Sequence, residues 1–400
     1  MPSFWRTGSS PVSGINSKVK TLQILPALEQ GGVERGVVEI NRAIIAAGWE
    51  NVVVSAGGRL VAQLQSDGAK HIRLDVKSKN PLTYFSRAAA LERILKEERP
   101  DVVCVHSRVP AWLFLWANRK LSIKWISFAH GANSISRYSR VMTMGDITVT
   151  PSKYLADYLK KAYGLRDEKL RIIPRAVDQE RFDTENLDKA FIEEKRREWA
   201  TEGFTVVMAL GRITQLKGLD VAIKALSKLC GESETAQSKK FKLIIVGEAE
   251  ILRKEYEDSL KELVLHLKLQ DRVVFVGAQS KVAECLSIAD IVVSANYRKC
   301  EAFGRSMAEA LAMDRPVVAT AFGGALDIVE DGVNGALVPL AAGASADERA
   351  TMFADAIRRV SGMTFSSLRK NALEKFSYSL MVSRSLDVYR ELARGGCSGK

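Results

Sequence analysis

The feature that most constrains the fold is a regular alternation between short apolar runs and helical patterns. V-K-T-L-Q-I-L-P over residues 19–26 is typical of a buried strand, and apolar residues then recur at helical spacing from Val33 until Gly48 ends the pattern. P-D-V-V-C-V-H-S and V-P-A-W-L-F-L-W repeat the same succession of strand and helix. Because the two patterns alternate, the sequence predicts parallel sheets covered by helices on both faces.

A change of composition near residues 176–200 divides this alternation in two. A-V-D-Q-E-R-F leads into the charge-rich E-E-K-R-R-E, which indicates a linker followed by an exposed helix, and the alternation then restarts at F-T-V-V-M-A-L-G. A length of 400 residues with 46% hydrophobic content suits two domains of ordinary size. We therefore predict an α/β protein with two doubly wound, Rossmann-like domains over 19–180 and 181–378, a disordered tail over 1–18 and a final segment over 379–400.

The excess of positive over negative charge lies entirely in the first half of the chain. Residues 1–182 hold 28 Lys and Arg against 16 Asp and Glu, residues 183–400 hold 31 of each kind, and the net charge is +12. A basic half favours nucleic acid, anionic lipid headgroups or a phosphorylated substrate as its partner. Nucleic acid is the weakest of these alternatives, because that half lacks clustered aromatic residues on a recognised binding module. We expect no nucleic-acid partner.

The cysteines and the apolar runs argue against several other classes of protein. The five cysteines are an odd number without a Cys-x-x-Cys spacing, so neither a disulfide framework nor a zinc site is indicated. No run reaches the roughly 18 apolar residues that a membrane-spanning helix needs, and the first residues lack the apolar core of a signal peptide. We expect a cytoplasmic protein that needs no metal and no other cofactor.

The stretch C-E-A-F-G-R-S-M-A-E-A-L-A, which begins at Cys300, follows the strand pattern I-V-V-S-A and leads into a helix. It is therefore predicted to lie at the carboxyl end of a strand, where ligands of doubly wound domains bind. A glycine in its turn allows close approach of backbone, and the amides at the helix start favour an anion. Glu301 and Glu309 are far enough apart along the helix to contact different parts of one long ligand. Carboxylates are also good partners for sugar hydroxyls.

This stretch and the sequence after it, through G-G-A-L-D-I-V-E-D-G-V-N-G, resemble the Glu-x7-Glu signature of the retaining family 4 glycosyltransferases. The resemblance implies their GT-B architecture, in which two Rossmann-like domains face a central cleft and the C-terminal helix crosses back to the first domain. It also implies transfer of a hexosyl unit from a nucleotide sugar, such as a UDP- or GDP-sugar, with retention of configuration and without a metal. The first domain then binds the acceptor and the second binds the donor.

The resemblance also implies roles for individual residues of the second domain. L-G-R-I-T-Q-L-K-G is similar to the segment whose cations clamp the donor diphosphate, here Arg212 and Lys217. Fixed cations there favour the charge that the leaving group gains. Glu309 is expected to hold the ribose hydroxyls and Glu301 the sugar hydroxyls. Further donor contacts are expected from the backbone at Phe303, Gly304, Arg305, Gly211 and Gly247.

In the first domain, Gly31 and Gly32 resemble the glycine-rich loop that reaches the cleft, and His130 in I-S-F-A-H-G matches a histidine beside the transferred sugar. His106 also ends a strand but has a weaker claim. The sequence departs from the family pattern at Arg175-Ala176, where Asn-Gly is common. It departs again at Asp327, where glutamate is frequent, and at Asp314, which takes the place of a glycine in a left-handed turn.

The acceptor is the least constrained part of the prediction. H-S-R-V-P-A-W-L-F-L-W and S-K-N-P-L look most like bacterial enzymes of lipopolysaccharide-core or other surface-glycan synthesis, which implies a glycan or lipid-linked acceptor. The basic first half then predicts a peripheral position on the anionic inner face of the cytoplasmic membrane. Trp112, Phe114 and Trp116 are candidates for insertion, although their spacing fits a buried core better. A sugar-nucleotide epimerase of the same architecture is the alternative enzyme, although the Glu-x7-Glu segment argues against it.

Overall fold

A computed structural model of the chain describes residues 18–29, 31–231, 239–249 and 254–395. Nearly all of the predicted N-terminal tail lies outside the described residues, as does Cys397. The chain forms two parallel sheets, so the predicted architecture of two α/β domains is confirmed.

The first domain holds seven strands and the helices that connect them. The strands are β1 (Lys20–Ile24), β2 (Glu50–Ser55), β3 (Lys70–Arg73), β4 (Val102–Val105), β5 (Trp125–Phe128), β6 (Ile147–Thr150) and β7 (Leu170–Ile172). The helices are α1 (Gly32–Ala46), α2 (Val61–Ser66), α3 (Tyr84–Glu98), α4 (Arg108–Asn118) and α5 (Lys153–Tyr163), with 3-10 turns at Pro81–Thr83, Ser139–Thr143 and Asp167–Lys169.

The second domain is preceded by α6 (Lys189–Glu198) and holds six strands. These are β8 (Thr205–Leu210), β9 (Phe241–Val246), β10 (Val273–Phe275), β11 (Ile291–Ser294), β12 (Val317–Thr320) and β13 (Gly335–Val338). Its helices are α7 (Leu219–Gly231), α8 (Lys254–His266), α9 (Val282–Ile288), α10 (Arg305–Ala312), α11 (Ala325–Ile328), α12 (Ala346–Ser361) and α13 (Leu368–Phe376), with a 3-10 turn at Gln215–Lys217. The last helix is α14 (Tyr378–Gly395).

The strand order of each sheet reverses at one point. The first sheet runs β3-β2-β1-β4-β5-β6-β7 and the second runs β10-β9-β8-β11-β12-β13. The connections after the two central strands therefore leave in opposite directions and open a crevice at the carboxyl ends. In the first sheet this crevice lies between β1 and β4, and in the second it lies between β8 and β11.

Local sequence accounts for the elements that frame the crevices. The strand β4, V-V-C-V, is buried along its whole length, as expected of a central strand covered on both faces. The side chain of Ser152 caps α5 by accepting from the Leu155 amide at 3.2 Å, and Gly164 ends that helix in the left-handed conformation. Asp314 likewise adopts a positive φ of 55°, as predicted. Residue types that suit special backbone positions thus fix where the helices begin and end.

The C-terminal helix packs on the first domain. Buried residues of α14, among them Met381 and Tyr389, share a hydrophobic cluster with Cys104 and Ile126 of the first sheet. The Tyr378 hydroxyl, at the start of α14, donates to the Glu39 carbonyl of α1 at 2.8 Å. The predicted return of the last helix to the first domain is therefore observed.

The three aromatic residues of α4 differ in exposure. Phe114 is fully buried in the core of the first domain, whereas Trp112 and Trp116 are only partly buried. Phe114 is thus a core residue and cannot contact a membrane. Within the described ranges, no helix combines the length and the apolarity that crossing a bilayer requires.

Candidate active site

The candidate site lies between the carboxyl edges of the two sheets. Helices that follow strands begin at this edge, and helices of both domains meet there. Arg305 at the start of α10 forms an ion pair with Glu39 of α1. The carboxylate of Asp327 in α11 accepts from the backbone amides of Lys153 and Tyr154 at the start of α5, both at 3.2 Å. These contacts join the two domains across the cleft.

Two glycine turns shape the floor of the site in the second domain. Gly211 follows β8 and Gly247 follows β9, with φ angles of 128° and 142°. A Cβ atom at residue 247 would come within 2.0 Å of the Gly211 carbonyl oxygen, so the two loops touch through bare backbone. Only glycine permits both this approach and these backbone angles. The loop after Gly211 then carries Arg212, which is exposed, and Lys217.

The central contact of the site joins Lys217 to the first glutamate of the Glu-x7-Glu stretch. The Lys217 ammonium donates to Oε1 of Glu301, and both side chains are about three-quarters buried. The other oxygen of that carboxylate, Oε2, is buried and has no hydrogen-bond partner among the residues that the structure describes. A buried carboxylate oxygen without a donor is costly, so this oxygen is poised to accept from a ligand hydroxyl.

The turn after Glu301 brings backbone amides to the same place. Gly304 caps the start of α10 with a φ of 102°, and a Cβ atom there would lie 3.3 Å from Oε2 of Glu301. Phe303 is buried and packs edge-on against Phe376. The first amides of α10 are thus held beside the unpaired carboxylate oxygen. The side chain of Arg305 points elsewhere, because its Nη2 donates to both carboxylate oxygens of Glu39 at 2.9 and 3.0 Å.

Glu309, the second glutamate of the stretch, lies further along α10 and is partly buried. Burial raises the pKa of its carboxyl from 4.5 to about 7. Nearby guanidinium groups of Arg305, Arg181 and Arg35 oppose this rise. The negative charge of Glu39 adds to it. This carboxyl therefore changes charge near neutral pH.

The histidine predicted in the first domain is part of a hydrogen-bonded chain. Nε2 of His130 lies 3.0 Å from Nδ1 of His106, and Nε2 of His106 lies 2.9 Å from the side-chain oxygen of Gln23. On the other side, Arg175 Nη2 donates to His130 Nδ1 at 2.8 Å. Burial and the Arg175 charge lower the pKa of His106 to about 3 and that of His130 well below its usual range. Both rings are thus neutral.

The structure brings some predicted residues together and separates others. Lys217, Glu301 and Gly304 form one cluster with the glycine turns. Gly31 and Gly32 lie at the start of α1, but the ion pair that this helix makes with the second domain comes from Glu39, about two turns further on. Within the described ranges, no group of three His, Cys, Asp or Glu side chains is arranged to hold a metal.

Four residues that sequence reasoning did not place at the site contribute to it. Glu39 and Gly36 sit inside a helix with no motif of their own, and Gln23 lies within a strand. The only signal for Arg175 was its departure from the usual asparagine. Helical spacing does place Gly36 and Glu39 on one face of α1, but no local pattern tells which residue of the distant domain they meet.

Comparison with known proteins gives two family matches. The model for glycosyl transferases group 1 matches residues 191–363, and the model for glycosyltransferase family 4 matches residues 30–181. Together they span both domains. A D-inositol 3-phosphate glycosyltransferase of Nocardioides is 30% identical over 264 residues, which cover 63% of this chain and 55% of that protein. The match thus spans little more than half of that relative.

Two solved structures are similar over nearly the whole chain. A glycosyltransferase from Rickettsia africae superposes with a TM-score of 0.79 at 28% identity, covering 94% of this chain and 98% of that one. The Anabaena protein HepE, solved in complex with UDP-glucose, superposes with a TM-score of 0.75 at 20% identity, covering 93% of this chain and all of its own. The second likeness concerns the fold alone.

Proposed function

This chain belongs to the group 1 and family 4 glycosyltransferases and has their GT-B fold, and from that premise we propose that it moves a hexosyl unit from a UDP- or GDP-sugar to a glycan or glycolipid acceptor. The transfer retains the anomeric configuration and uses no metal. The first domain binds the acceptor, and the second binds the nucleotide sugar.

The observation that carries this proposal is the contact between Lys217 and Glu301, with Oε2 of the carboxylate left unpaired in the cleft. A nucleotide sugar offers a partner for each group. Its diphosphate satisfies the ammonium together with Arg212 on the same loop, and a sugar hydroxyl donates to the free carboxylate oxygen. The backbone amides at Gly304 and Arg305 supply further donors to the sugar or its phosphate.

The same cluster accounts for the chemistry. As the bond between the anomeric carbon and the phosphate oxygen breaks, negative charge collects on the leaving nucleoside diphosphate, and the fixed cations stabilise that charge without a metal ion. The acceptor hydroxyl oxygen bonds to the anomeric carbon from the same face, and its proton passes to the leaving phosphate. Glu301 is assigned to a sugar hydroxyl through its Oε2, so the proposed step involves no covalent glycosyl-enzyme intermediate.

The donor is proposed as a UDP- or GDP-sugar. HepE, which shares the fold, was solved in complex with UDP-glucose. In this chain the Gly211 and Gly247 turns, next to Lys217, are proposed to receive the nucleotide. Glu309 of α10 is proposed to hold the ribose hydroxyls, since an ionised carboxylate accepts two such bonds.

The acceptor is proposed to be lipid-linked and to reach the enzyme at an anionic membrane, in the synthesis of lipopolysaccharide core or another surface glycan. The first domain presents an aromatic patch, defined here as Leu82, Phe85, Trp112, Trp116 and Tyr138. Leu82 is 90% exposed and Phe85 63% exposed. The rings of Phe85 and Trp116 are in contact, with their centres 5.9 Å apart, and those of Trp112 and Tyr138 are in contact at 6.4 Å.

Basic residues border the aromatic patch. The guanidinium of Arg119 lies 3.5 Å from the ring centre of Trp116, and that of Arg108 lies 5.4 Å from Tyr138. Aromatic rings beside cations suit the interface of an anionic bilayer, and each basic residue there contributes on the order of 1 kcal/mol. The excess of positive charge in residues 1–182 supports the same placement on the inner face of the cytoplasmic membrane.

The experiment that tests the proposed function measures nucleoside diphosphate release. The purified full chain is incubated with UDP- and GDP-hexoses, with chelator, and with or without a bacterial glycolipid extract. We expect release that depends on the extract, together with a labelled glycolipid product. Interconversion of the sugar nucleotide without an acceptor would instead favour the epimerase.

A further inference from the structure

Arg175 stands at the junction of the two domains, and its guanidinium fits there because of a glycine in α1. Its Nη2 donates to Nδ1 of His130 at 2.8 Å. A Cβ atom at Gly36 would come within 2.1 Å of its Nη1. The guanidinium therefore occupies the space that any other side chain at residue 36 would need. The Arg175 side chain at the junction therefore requires glycine at residue 36 of α1.

The guanidinium also gives the histidine chain a direction. A guanidinium can only donate, so Nδ1 of His130 must accept and the ring proton must reside on Nε2. That proton is donated to Nδ1 of His106, which places the proton of the second ring on its Nε2, facing the oxygen of Gln23. The opposite direction would require Arg175 to accept, which it cannot do. The side-chain oxygen of Gln23 can only accept, so its position 2.9 Å from Nε2 of His106 agrees with this direction.

On its other side, Arg175 faces the ion pair that crosses the cleft. Glu39 lies three residues after Gly36 and thus on the same face of α1. The Glu39 carboxylate accepts from Arg305 of α10 at 2.9 and 3.0 Å. Burial and the charge of Arg305 lower the pKa of Arg175 to about 10, whereas Glu39 opposes that change. The charges of Arg305 and Glu39 therefore act on Arg175 in opposite directions.

We propose that Arg175 is a positioning residue for glycosyl transfer, which ties the His130 end of the acceptor domain to the Glu39–Arg305 ion pair and thereby to the donor-binding helix α10. The proposal rests on the proposed function of the cleft. In this proposal Arg175 acts through its protein neighbours and not through a contact with donor or acceptor. It sets the orientation of His130 and the placement of α10 against α1, so that both domains meet the sugar in one arrangement.

Gly36→Ala provides the sharpest test, because alanine is more favourable than glycine in the interior of a helix. Its new methyl group collides with the guanidinium group of Arg175 and displaces it while α1 remains intact. We expect turnover to fall roughly tenfold to a hundredfold, as small misplacements of reacting groups do. Thermal stability should change little, because the gain from alanine in the helix offsets the hydrogen bond that the displaced guanidinium loses. Gly231→Ala, at the end of α7, is the control, since a Cβ atom there meets no described residue within 4 Å.

A double-substitution cycle identifies Arg175 as the cause. Arg175→Ala alone should lower turnover by a similar factor, and Gly36→Ala combined with Arg175→Ala should be no worse than Arg175→Ala. The losses are not additive because both substitutions remove the same guanidinium. Additive losses, or a Gly36→Ala chain as active as the Gly231→Ala control, would overturn the proposal.

Nitrogen NMR of the histidine rings gives a readout that needs no substrate. In the wild-type chain, the rings of His106 and His130 should each carry the proton on Nε2. In Arg175→Ala and Gly36→Ala, the Nδ1 signal of His130 should move and that of His106 should move with it. Unchanged signals in both variants would contradict the network. If the wild-type chain transfers no sugar, the proposed function fails, whereas the nitrogen signals still test the network.

Discussion

At the residue scale, the site centres on a lysine and a glutamate that two different loops of the second domain bring together. Lys217 and Glu301 were expected in one site, and they are in contact. The same reasoning placed only the backbone of Arg305 at the site and missed its side chain, which pairs with Glu39 at a sequence separation of 266. Local patterns carry no information on such a partner, because the fold alone brings the two residues together.

Lys217→Ala and Arg212→Ala should each lower turnover by roughly 10²-fold or more, since each removes a charge that stabilises the leaving diphosphate. Steady-state kinetics at saturating donor would measure the loss. Lys228→Ala is the matched control, because Lys228 lies on α7 in an ion pair with Asp347. Near-normal turnover in both site variants would remove the diphosphate assignment.

Glu309 should make donor binding depend on pH. Its pKa of about 7 lies above the ordinary 4.5, so the carboxyl gains a proton as the pH falls through about 7 and loses one acceptor for ribose hydroxyls. The KM for the donor should therefore rise on the acid side, with little change in kcat. In Glu309→Gln the KM should be high at every pH. An acid rise that persists in Glu309→Gln would assign the effect to another group.

The same pKa predicts how the stability of the free protein changes with pH. Because the folded pKa is raised, the folded chain binds more protons than the unfolded chain between pH 4.5 and about 7. This group's contribution to the free energy of unfolding is therefore greatest below pH 4.5, declines as the pH rises to about 7, and is constant above that. Subtracting the stability profile of Glu309→Gln from that of the wild-type chain would isolate this contribution.

At the scale of elements, periodicity and end signals predicted the order of strands and helices. Buried runs such as β4 and the Ser152 and Gly164 ends of α5 were visible because each depends on neighbouring residues. The contacts between elements of different domains were not visible. Asp327 was noted only as a replacement for glutamate, yet its carboxylate caps α5 of the other domain.

Asp327→Ala should lower the free energy of unfolding by about 1 kcal/mol, because two amides at the start of α5 lose their acceptor. Urea denaturation would measure the difference. Asp327→Asn, which keeps a side-chain acceptor, should retain most of the stability. Ser152→Ala removes the N-cap side chain of α5, and its effect measures the cost of one lost cap. If Asp327→Ala had the same free energy of unfolding as the wild-type chain, this contact between the domains would contribute nothing to stability.

At the scale of the whole molecule, the number of domains, the parallel sheets and the return of α14 followed from the sequence and its family resemblance. The relative placement of the domains did not, since it depends on pairs such as Glu39 with Arg305. Charge counts revealed a basic first half but not where the exposed apolar residues lie. The aromatic patch joins residues of α3, α4 and the segments next to them, and only the fold assembles it.

The full chain should co-sediment with vesicles that contain anionic lipid, and less so as salt is raised. Leu82→Ser combined with Phe85→Ser should weaken this binding without loss of stability, since both side chains are exposed. Leu265→Ser, which alters a residue 58% exposed in the second domain, is the control. Binding that ignores lipid charge, or is unaffected by the patch variant, would favour an acceptor in solution.

The central claim is that the Lys217–Glu301 cleft transfers a sugar with retention and without metal. The most direct measurement is proton NMR of the product formed from an α-linked UDP- or GDP-hexose and a glycolipid acceptor, in the presence of a chelator. We expect the hexose in α linkage to the acceptor with the wild-type chain, and almost no product with Lys217→Ala. A β-linked product, or a sugar nucleotide epimerised with no acceptor product, would contradict it.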